Sequence, residues 1–301
     1  MAIPLFKNSA SKVKKMNQLR SDVDLLVGVC LTKTDWLAYK KTLIPSFQNI
    51  VEAWQRNVIV FVVLQGNEGE HISITDLPDY LCLFEVDFMG VSNARNLCVK
   101  RAVEIGAEFI LFHDASIFWP KKSASFIAFN RTVRPKVKVK FSDFSNERGY
   151  SQTLDFDGRQ KKVNPIYDAY VWSYLLKVSD VAGVEFNEAF GPGINTRFKS
   201  GEDVLFLFDY LNEIKCCDVL EADDCYVFHP KRSSSYDKHL TYASGQGKIF
   251  RLLLAKYPSF VLYRDLILFF CNAIMRCVLG KPNSFQILKH RVIGFFDRGI
   301  N

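Results

Sequence analysis

Two oxygen-bearing side chains follow a buried apolar run near the middle of the chain. The run Glu108-Phe-Ile-Leu-Phe-His113 predicts a strand covered on both faces, and Asp114 and Ser116 come shortly after it. Because an apolar strand end does not need a carboxylate to fold, Asp114 is a candidate functional residue. Divalent cations such as Mg²⁺ prefer oxygen ligands, so Asp114 is the first candidate metal ligand and Ser116 a weaker or water-mediated one.

A second acidic pair, Glu202 and Asp203, opens the helix predicted over residues 202–214. Acids in the first turn of a helix are stabilised by the helix dipole alone, so the pair has an ordinary structural explanation. Arg95 stands at the start of the helix predicted over residues 94–106. On its local pattern alone, Arg95 is a helix-surface cation.

Alternating strand and helix patterns surround these residues. Buried-strand runs cover residues 24–31, 57–64 and 80–88 before the strand at 108–113, with helical patterns between them. Such alternation predicts an α/β domain with a mostly parallel sheet flanked by helices, in which ligands bind at the carboxyl ends of the strands. Residues 121–162 show no sustained period, which indicates β-hairpins or a functional loop.

Three motifs in order resemble the centre of the family 2 glycosyltransferases with the GT-A fold, nucleotide-sugar-dependent enzymes that often build bacterial surface polysaccharides. They are the S-x-A-R-N helix start at residues 92–96 with the strand and acidic end that follow it, Phe190-Gly-Pro-Gly193, and Gly201-Glu-Asp203. Order and spacing fit from about residue 24 to residue 230. One departure is that the family's D-x-D motif reads Asp114-Ala-Ser116, so the second carboxylate is missing.

The resemblance implies a role for each matching residue. It implies that Arg95 contacts the diphosphate of the donor, for which a guanidinium fork is well suited. It implies that Asp203, with Glu202 as second choice, is the general base of an inverting transfer. Asp114 and Ser116 are then expected to contact the nucleotide and a divalent metal, Mn²⁺ or Mg²⁺.

Four further polar residues lie at predicted strand ends. Thr32 follows the first strand, and Gln65 and Asn67 stand in the glycine-containing turn after the second, where the family usually holds the base of the nucleotide with an acidic residue. All three are candidate donor contacts, although an ordinary turn without a ligand explains Gln65 and Asn67 equally well. His229 ends the last predicted strand, and its imidazole could reach a metal or the pyrophosphate, or satisfy a backbone carbonyl.

Length and charge divide the chain into parts. The 301 residues suit a basic segment at 1–20, a GT-A domain at 21–230 and a basic helical tail at 231–301. The tail has 12 Lys and Arg against 3 Asp and Glu, a net charge of +9, whereas the preceding residues are at −2. No secretory signal is recognisable at the start, and the 8 cysteines form no C-x-x-C pair, which favours buried thiols in the cytosol.

The tail combines its basic charge with interrupted apolar runs. Its longest run without a charge, residues 266–275, is 10 residues, well below the roughly 20 that span a bilayer. Basic amphipathic helices of this kind lie on anionic membrane surfaces, so we expect a peripheral protein at the cytoplasmic face of the membrane. The alternative is a set of helices packed on the catalytic domain with their basic face in water.

The resemblance implies a GT-A glycosyltransferase that moves a sugar from a nucleotide donor, expected to be a UDP-sugar, to a glycan or lipid-linked glycan acceptor. A rival interpretation is a catalytically degenerate GT-A domain that serves as a binding scaffold in polysaccharide assembly, because the second acid of D-x-D is absent. A nucleic-acid partner is disfavoured, since the basic residues of the tail alternate with long aliphatic runs.

Overall fold

The computed structural model describes residues 23–66, 77–142, 156–231 and 237–299, so the predicted basic segment at 1–20 lies outside it. Within the described ranges, the larger of two sheets contains the strands β1 (Leu25–Thr32), β2 (Val58–Gln65), β3 (Leu81–Val86), β4 (Phe109–Asp114) and β7 (Leu175–Lys177). Their spatial order is β3-β2-β1-β4-β7, with β1 to β4 parallel and β7 antiparallel to β4. The predicted α/β domain with a mostly parallel sheet is confirmed.

A smaller sheet, eight α-helices and two short 3₁₀ helices, Arg131–Val133 and Val171–Ser173, complete the elements of the described residues. The smaller sheet contains β5 (Pro135–Phe141), β6 (Gly158–Lys162) and β8 (Asp218–His229). The helices are α1 (Lys33–Trp54), α2 (Val91–Glu104), α3 (Lys121–Phe129), α4 (Val178–Val181), α5 (Glu202–Glu213), α6 (Asp237–Lys256), α7 (Phe260–Val278) and α8 (Ser284–Phe296). β8 is central, parallel to β5 and antiparallel to β6. Residues 121–162 thus hold a helix and two strands that pair with β8, where hairpins or a loop were expected.

The end of β4 lies where functional groups can converge. The chain runs from β1 through α1 to β2 on one side, and from β3 through α2 to β4 on the other side of β1. In open α/β sheets, a crevice for ligands forms at the carboxyl ends of the strands beside such a reversal. Backbone hydrogen bonds between Phe118 and Phe228, of 2.9 and 3.0 Å, bring the end of β8 to the same edge.

A buried histidine fixes the strand that carries Asp114. The Nε2 atom of His113 lies 2.8 Å from Ser46 Oγ on α1, and its Nδ1 atom lies 2.8 Å from the carbonyl oxygen of Asp114. Ser46 Oγ also accepts a hydrogen bond from Trp119 N at 2.8 Å. Burial lowers the pKa of His113 to about 4, so the ring is neutral and donates from Nδ1 to the carbonyl. The strand end is therefore tied to a helix and to the following loop.

The C-terminal helices pack through glycines. A Cβ atom at Gly247 on α6 would collide with the carbonyl oxygen of Arg291 on α8, and one at Gly294 would collide with that of Ser244. The backbones of α6 and α8 therefore approach more closely than side chains would allow. A Cβ atom at Gly245 would likewise meet the backbone of Ser200, so α6 also abuts the loop before α5.

We expect Gly294→Ala to destabilise the α6–α8 pair by about 1–3 kcal/mol, the usual cost of overpacking. The extra methyl group forces two helix backbones apart, because the atom that it meets is a carbonyl oxygen and not the end of a flexible side chain. Thermal unfolding followed by circular dichroism, and hydrogen exchange of the amides in α8, would measure the loss. Gly183→Ala is the matched control, since a Cβ atom there meets nothing within 4 Å. Equal behaviour of the two variants would contradict the close contact.

Candidate active site

A buried arginine gathers three carboxylates at the end of β4. Arg95 on α2 is only 3% exposed, and its Nη2 atom donates to Asp114 Oδ1 at 2.9 Å. Its Nη1 atom forms an ion pair with Asp203 and lies 3.9 Å from Glu202 Oε1, both at the start of α5. The side chains predicted to act with donor, metal and acceptor therefore meet at one guanidinium group.

Two aromatic rings contact this guanidinium group. Its Cζ atom lies 5.3 Å from the ring centroid of Phe186 and 6.0 Å from that of Phe112 on β4. Phe186 in turn stacks on Phe206 of α5 with centroids 3.9 Å apart. Cation–π contacts partly replace the water that a buried cation loses. The same aromatic group thus fixes the arginine and the helix that carries Glu202 and Asp203.

Burial shifts the protonation of both acids on α5. Burial and the neighbouring Asp203 raise the pKa of Glu202 to about 7, against the lowering effect of Arg95. Burial also raises the pKa of Asp203 to about 6, again against the lowering effect of Arg95. The carboxylates keep the pKa of Arg95 above its ordinary value despite burial, so it stays charged. Both acids therefore keep a proton to higher pH than ordinary carboxyl groups do.

Two further contacts orient these acids. Asp203 Oδ2 accepts a hydrogen bond from Val171 N at 3.3 Å, so its two oxygens have different partners. The Oε2 atom of Glu202 is buried and has no hydrogen-bond partner in the structure. Protonation at that oxygen reduces the cost of burying it, in keeping with the raised pKa of Glu202.

The Phe190–Gly193 loop is fastened to the start of α2 beside the acids. Ser92 Oγ donates to the carbonyl oxygen of Phe190 at 2.7 Å, and Val91 N donates to that of Pro192 at 3.0 Å. Gly191 has φ +97°, and a Cβ atom there would come within 2.6 Å of Val91 Cγ1 and 3.1 Å of Glu202 Cδ. Only glycine fits this conformation and this space. The loop therefore packs directly against Glu202.

Thr32 and Gln65 lie at neighbouring strand ends but are engaged by the backbone. Thr32 is the N-cap of α1 and forms a capping box with Asp35. Gln65 is buried, and its Oε1 atom accepts hydrogen bonds from Met89 N and Gly90 N, each at 3.0 Å. Both side chains shape the crevice edge, and their contact with a donor remains a prediction. Asn67 lies outside the described residues.

Ser116 and His229 form a second polar group at the same edge. His229 Nδ1 lies 2.7 Å from the carbonyl oxygen of Pro230, which can only accept, so this nitrogen carries the proton. The lone pair on Nε2 then faces Ser116 Oγ at 3.4 Å. Within the residues that the structure describes, no three His, Cys, Asp or Glu side chains converge as a preformed metal site. A cation here would need oxygen atoms from a bound ligand.

Carboxylates engage the guanidinium of Arg95. The side chain is 3% exposed, and its nitrogens form ion pairs with Asp114, Glu202 and Asp203. Arg95 thus joins the three carboxylates in this structure, and its contact with the donor diphosphate remains a prediction. The contact from Val171 N to Asp203 was not predicted, because backbone donors leave no mark in the sequence.

Comparison with known proteins supports the fold. No protein-family model and no curated protein matches the chain. Among solved structures, S. aureus TarS in complex with UDP-GlcNAc superposes with a TM-score of 0.50 at 19% identity, over 77% of this chain and 66% of that chain. The chain has the GT-A glycosyltransferase fold. It thus spans slightly less than two thirds of that TarS chain.

Two weaker similarities add no independent support. TarS in complex with UDP gives a TM-score of 0.47 at 18% identity, over 77% of this chain and 71% of that chain. GalNAc-T7 with UDP, GalNAc and Mn²⁺ gives 0.41 at 9% identity, over 74% of this chain and 47% of that chain. At these identities the comparisons establish the fold alone, and the residues of the site carry any statement about activity.

The raised pKa values of the acids on α5 predict a pH-dependent effect of Glu202→Gln on stability. Glu202 binds its proton more tightly in the folded chain than in the unfolded one, so its contribution to the unfolding free energy falls as pH rises from about 4 to 7. Glutamine removes that titration, and we expect the variant to gain stability relative to the wild type as pH rises through this window.

Urea unfolding of both proteins from pH 4 to 8 would measure this difference. The difference between variant and wild type is the useful quantity, because His113, with its lowered pKa, contributes a slope of the opposite sign to each protein. Glu213→Gln, at the exposed end of the same helix, is the matched control. A stability difference for Glu202→Gln that stays constant with pH would contradict the assigned shift.

Proposed function

We propose that this protein is a glycosyltransferase that moves a sugar from a nucleotide donor of the UDP type to a hydroxyl group of a glycan or lipid-linked glycan, with inversion. One observation carries the proposal. In a GT-A fold, the carboxylates of Asp114 and Asp203 share the guanidinium of Arg95 at the carboxyl end of the sheet. This arrangement sets a candidate donor-side acid and a candidate base at a fixed separation.

Asp203 is the proposed general base. In an inverting transfer, the acceptor oxygen bonds to the anomeric carbon as the bond from that carbon to the diphosphate breaks on the opposite face. The acceptor proton passes to Asp203, and the nucleoside diphosphate leaves with the bonding electron pair. A base is most effective when its pKa lies near the working pH, and the pKa of Asp203 is about 6. Arg95 and Val171 N hold its two oxygens in place.

Asp114, with Ser116 and His229, is the proposed site of a divalent cation, Mn²⁺ or Mg²⁺. The donor set suits this role because Mg²⁺ commonly takes one or two carboxylates and completes its shell with substrate phosphates and water. Asp114 is partly exposed, and the Nε2 lone pair of His229 faces Ser116. When bound, the cation would neutralise charge on the departing diphosphate. The missing second acid of D-x-D does not prevent this, because the donor supplies oxygens.

The decisive experiment is turnover of UDP-sugars by wild type and Asp203→Asn with Mn²⁺ or Mg²⁺ present. We expect the variant to lose at least about 10²-fold in kcat with little change in UDP affinity, because asparagine cannot take the proton. Glu213→Gln on the same helix should turn over at the wild-type rate. An unchanged kcat for Asp203→Asn would show that Asp203 is not the general base.

The degenerate-scaffold interpretation keeps one supporting observation, the serine in place of the second D-x-D acid. It predicts that the wild type binds UDP but hydrolyses or transfers no UDP-sugar with either metal. Asp114→Ala separates the two cases further. It should abolish turnover in an enzyme while leaving the circular dichroism spectrum unchanged, because Asp114 lies at the partly exposed strand end.

We also propose that the C-terminal helices bind an anionic membrane surface at the cytoplasmic face. α7 leaves a stripe of large apolar side chains exposed along its length, at Phe260 (86% exposed), Ile267, Ile274 and Val278. The opposite side of α7 is buried through Leu262, Asp265 and Ala273, so the helix packs on the protein and still presents an apolar face. No helix in the described ranges combines the length and the hydropathy that a bilayer span requires.

Charge supports an anionic lipid surface as the partner. The tail at residues 231–301 carries a net charge of +9, and each basic group near an anionic surface contributes about 1 kcal/mol. The apolar stripe adds a contribution that salt does not screen. The packing of α7 on the protein fits the alternative of a docked helical tail as well, and the two are compatible.

Vesicle flotation of the full chain would test the membrane proposal. We expect it to float with anionic liposomes, less with neutral ones, and less as salt rises. Ile267→Glu combined with Val278→Glu should reduce flotation strongly, because both changes put a charge on the apolar stripe. Phe129→Glu, at an exposed apolar residue of α3, is the control for a general change in charge. Flotation of the double variant equal to that of Phe129→Glu would overturn the proposal.

A further inference from the structure

A cavity of about 530 Å³ lies between the start of α5 and the C-terminal helices. Ser200 and Gly201, directly before Glu202 and Asp203, line one part of it. Ile166, Tyr167 and Val204 line a further part, and α6, α7 and α8 contribute the remaining walls through apolar, amide and charged side chains. The cavity therefore connects the helix that carries the proposed base with the helices that carry the proposed membrane surface.

Arg291 of α8 lines this cavity as a buried cation. It is 9% exposed, its Nε and Nη2 atoms donate to Gln246 Oε1 at 3.3 and 3.0 Å, and its Cζ atom lies 4.1 Å from the ring centroid of Phe269. Among the described residues, no carboxylate lies within ion-pair distance of it. Burial lowers the pKa of Arg291 to about 10, and Arg276 adds to the lowering.

The acid that lines the same cavity is already committed to other partners. Asp265 accepts hydrogen bonds from Asn164 Nδ2 at 2.7 Å, from Tyr167 O–H at 3.2 Å and from Arg264 at 2.8 and 3.1 Å. Arg264 supplies the positive charge that a buried carboxylate needs, and Asn164 and Tyr167 add hydrogen bonds. Arg291 has no such charged partner among the described residues, and a buried guanidinium without an anion is costly. An anionic ligand in the cavity would offset that cost.

The walls indicate what kind of anion fits. A guanidinium fork matches the oxygens of a phosphate group, and the amide groups of Gln246 and Asn272 line the same space. Ile249, Phe250 and Leu268 provide apolar surface beside them, and Leu268 is 52% exposed on α7. A ligand with a phosphate group and an apolar chain would place the first on Arg291 and lead the second out along α7.

We propose that this cavity binds the phosphate group of a lipid-linked acceptor, with the phosphate on Arg291 and the start of the lipid chain against α7. The inference rests on the proposed function, because it assigns the acceptor class to a transferase. It would explain why the cavity extends from the residues before Glu202 and Asp203 to the exposed apolar face. A bilayer phospholipid offers the same chemistry, a phosphate ester on an apolar chain, and the two sources need separate measurements.

Isothermal titration calorimetry of the full chain, without donor, tests the site with farnesyl phosphate, farnesol and dihexanoyl phosphatidylglycerol as probes. Farnesyl phosphate should bind, and Arg291→Gln should weaken it at least about tenfold through loss of charge-assisted hydrogen bonds. Arg291→Lys should lose less, because it keeps the charge but not the fork. Lys289→Gln, which removes an exposed cation from the same helix, should bind like the wild type.

Two further measurements test the phosphate site if Arg291→Gln folds poorly. Leu268→Trp should narrow the exposed mouth of the cavity and weaken farnesyl phosphate with Arg291 intact. UDP affinity should be unchanged in every variant, which separates this site from the donor site. If the wild type turns over no UDP-sugar but binds farnesyl phosphate through Arg291, the transferase proposal fails and the phosphate site stands.

Three results would overturn the assignment. If farnesol binds as tightly as farnesyl phosphate, the cavity does not recognise the phosphate group. An equal loss of farnesyl phosphate affinity in Lys289→Gln and Arg291→Gln would show that general electrostatics, and not a specific contact with Arg291, causes the loss. Tighter binding of dihexanoyl phosphatidylglycerol than of farnesyl phosphate would assign the cavity to bilayer lipid and not to the acceptor.

Discussion

The buried ion cluster around Arg95 is the constraint on which the site depends. A guanidinium that is 3% exposed is costly to bury without anions, and three neighbouring carboxylates repel one another without a cation. Asp114 belongs to β4, Arg95 to α2, and Glu202 and Asp203 to α5. The consecutive elements α2 and β4 and the distant α5 are therefore fixed relative to one another by a single side chain. The separation between Asp114 and Asp203 follows from this cluster.

The same cluster keeps the pKa values of both acids of α5 close to neutral pH. Burial raises the pKa of Asp203 to about 6, and Arg95 and a backbone N–H limit that rise. Burial and the neighbouring Asp203 raise the pKa of Glu202 to about 7, and Arg95 limits that rise as well. Both carboxyl groups can therefore exchange a proton near neutral pH, as the proposed transfer requires of its base.

The sequence allowed correct prediction of features that depend on local patterns. The parallel sheet follows from buried apolar runs between helical periods, and Asp114 and the acids at 202–203 stand out at the ends of such segments. The ion pair between Arg95 and Asp203 could not be predicted, because it joins residues far apart in the sequence. Residues 121–162 were expected to form hairpins or a loop, and β5, in which lysines alternate with valines from Lys136 to Lys140, was not assigned individually. Lys136 is buried and forms ion pairs with Asp168 and Glu221, which the local pattern cannot show.

The boundary near residue 230 separates a sheet-based part from a helical one in sequence, yet contacts cross it. Asp265 of α7 accepts hydrogen bonds from Asn164 and Tyr167, in the segment that leads to the backbone donor for Asp203. Asp209 on α5 pairs with Lys256 of α6. The helices that expose the apolar stripe are therefore tied on their other side to both supports of the proposed base. Any surface that α7 contacts is consequently held at a fixed position relative to Asp203, as the proposed delivery of an acceptor from a membrane would require.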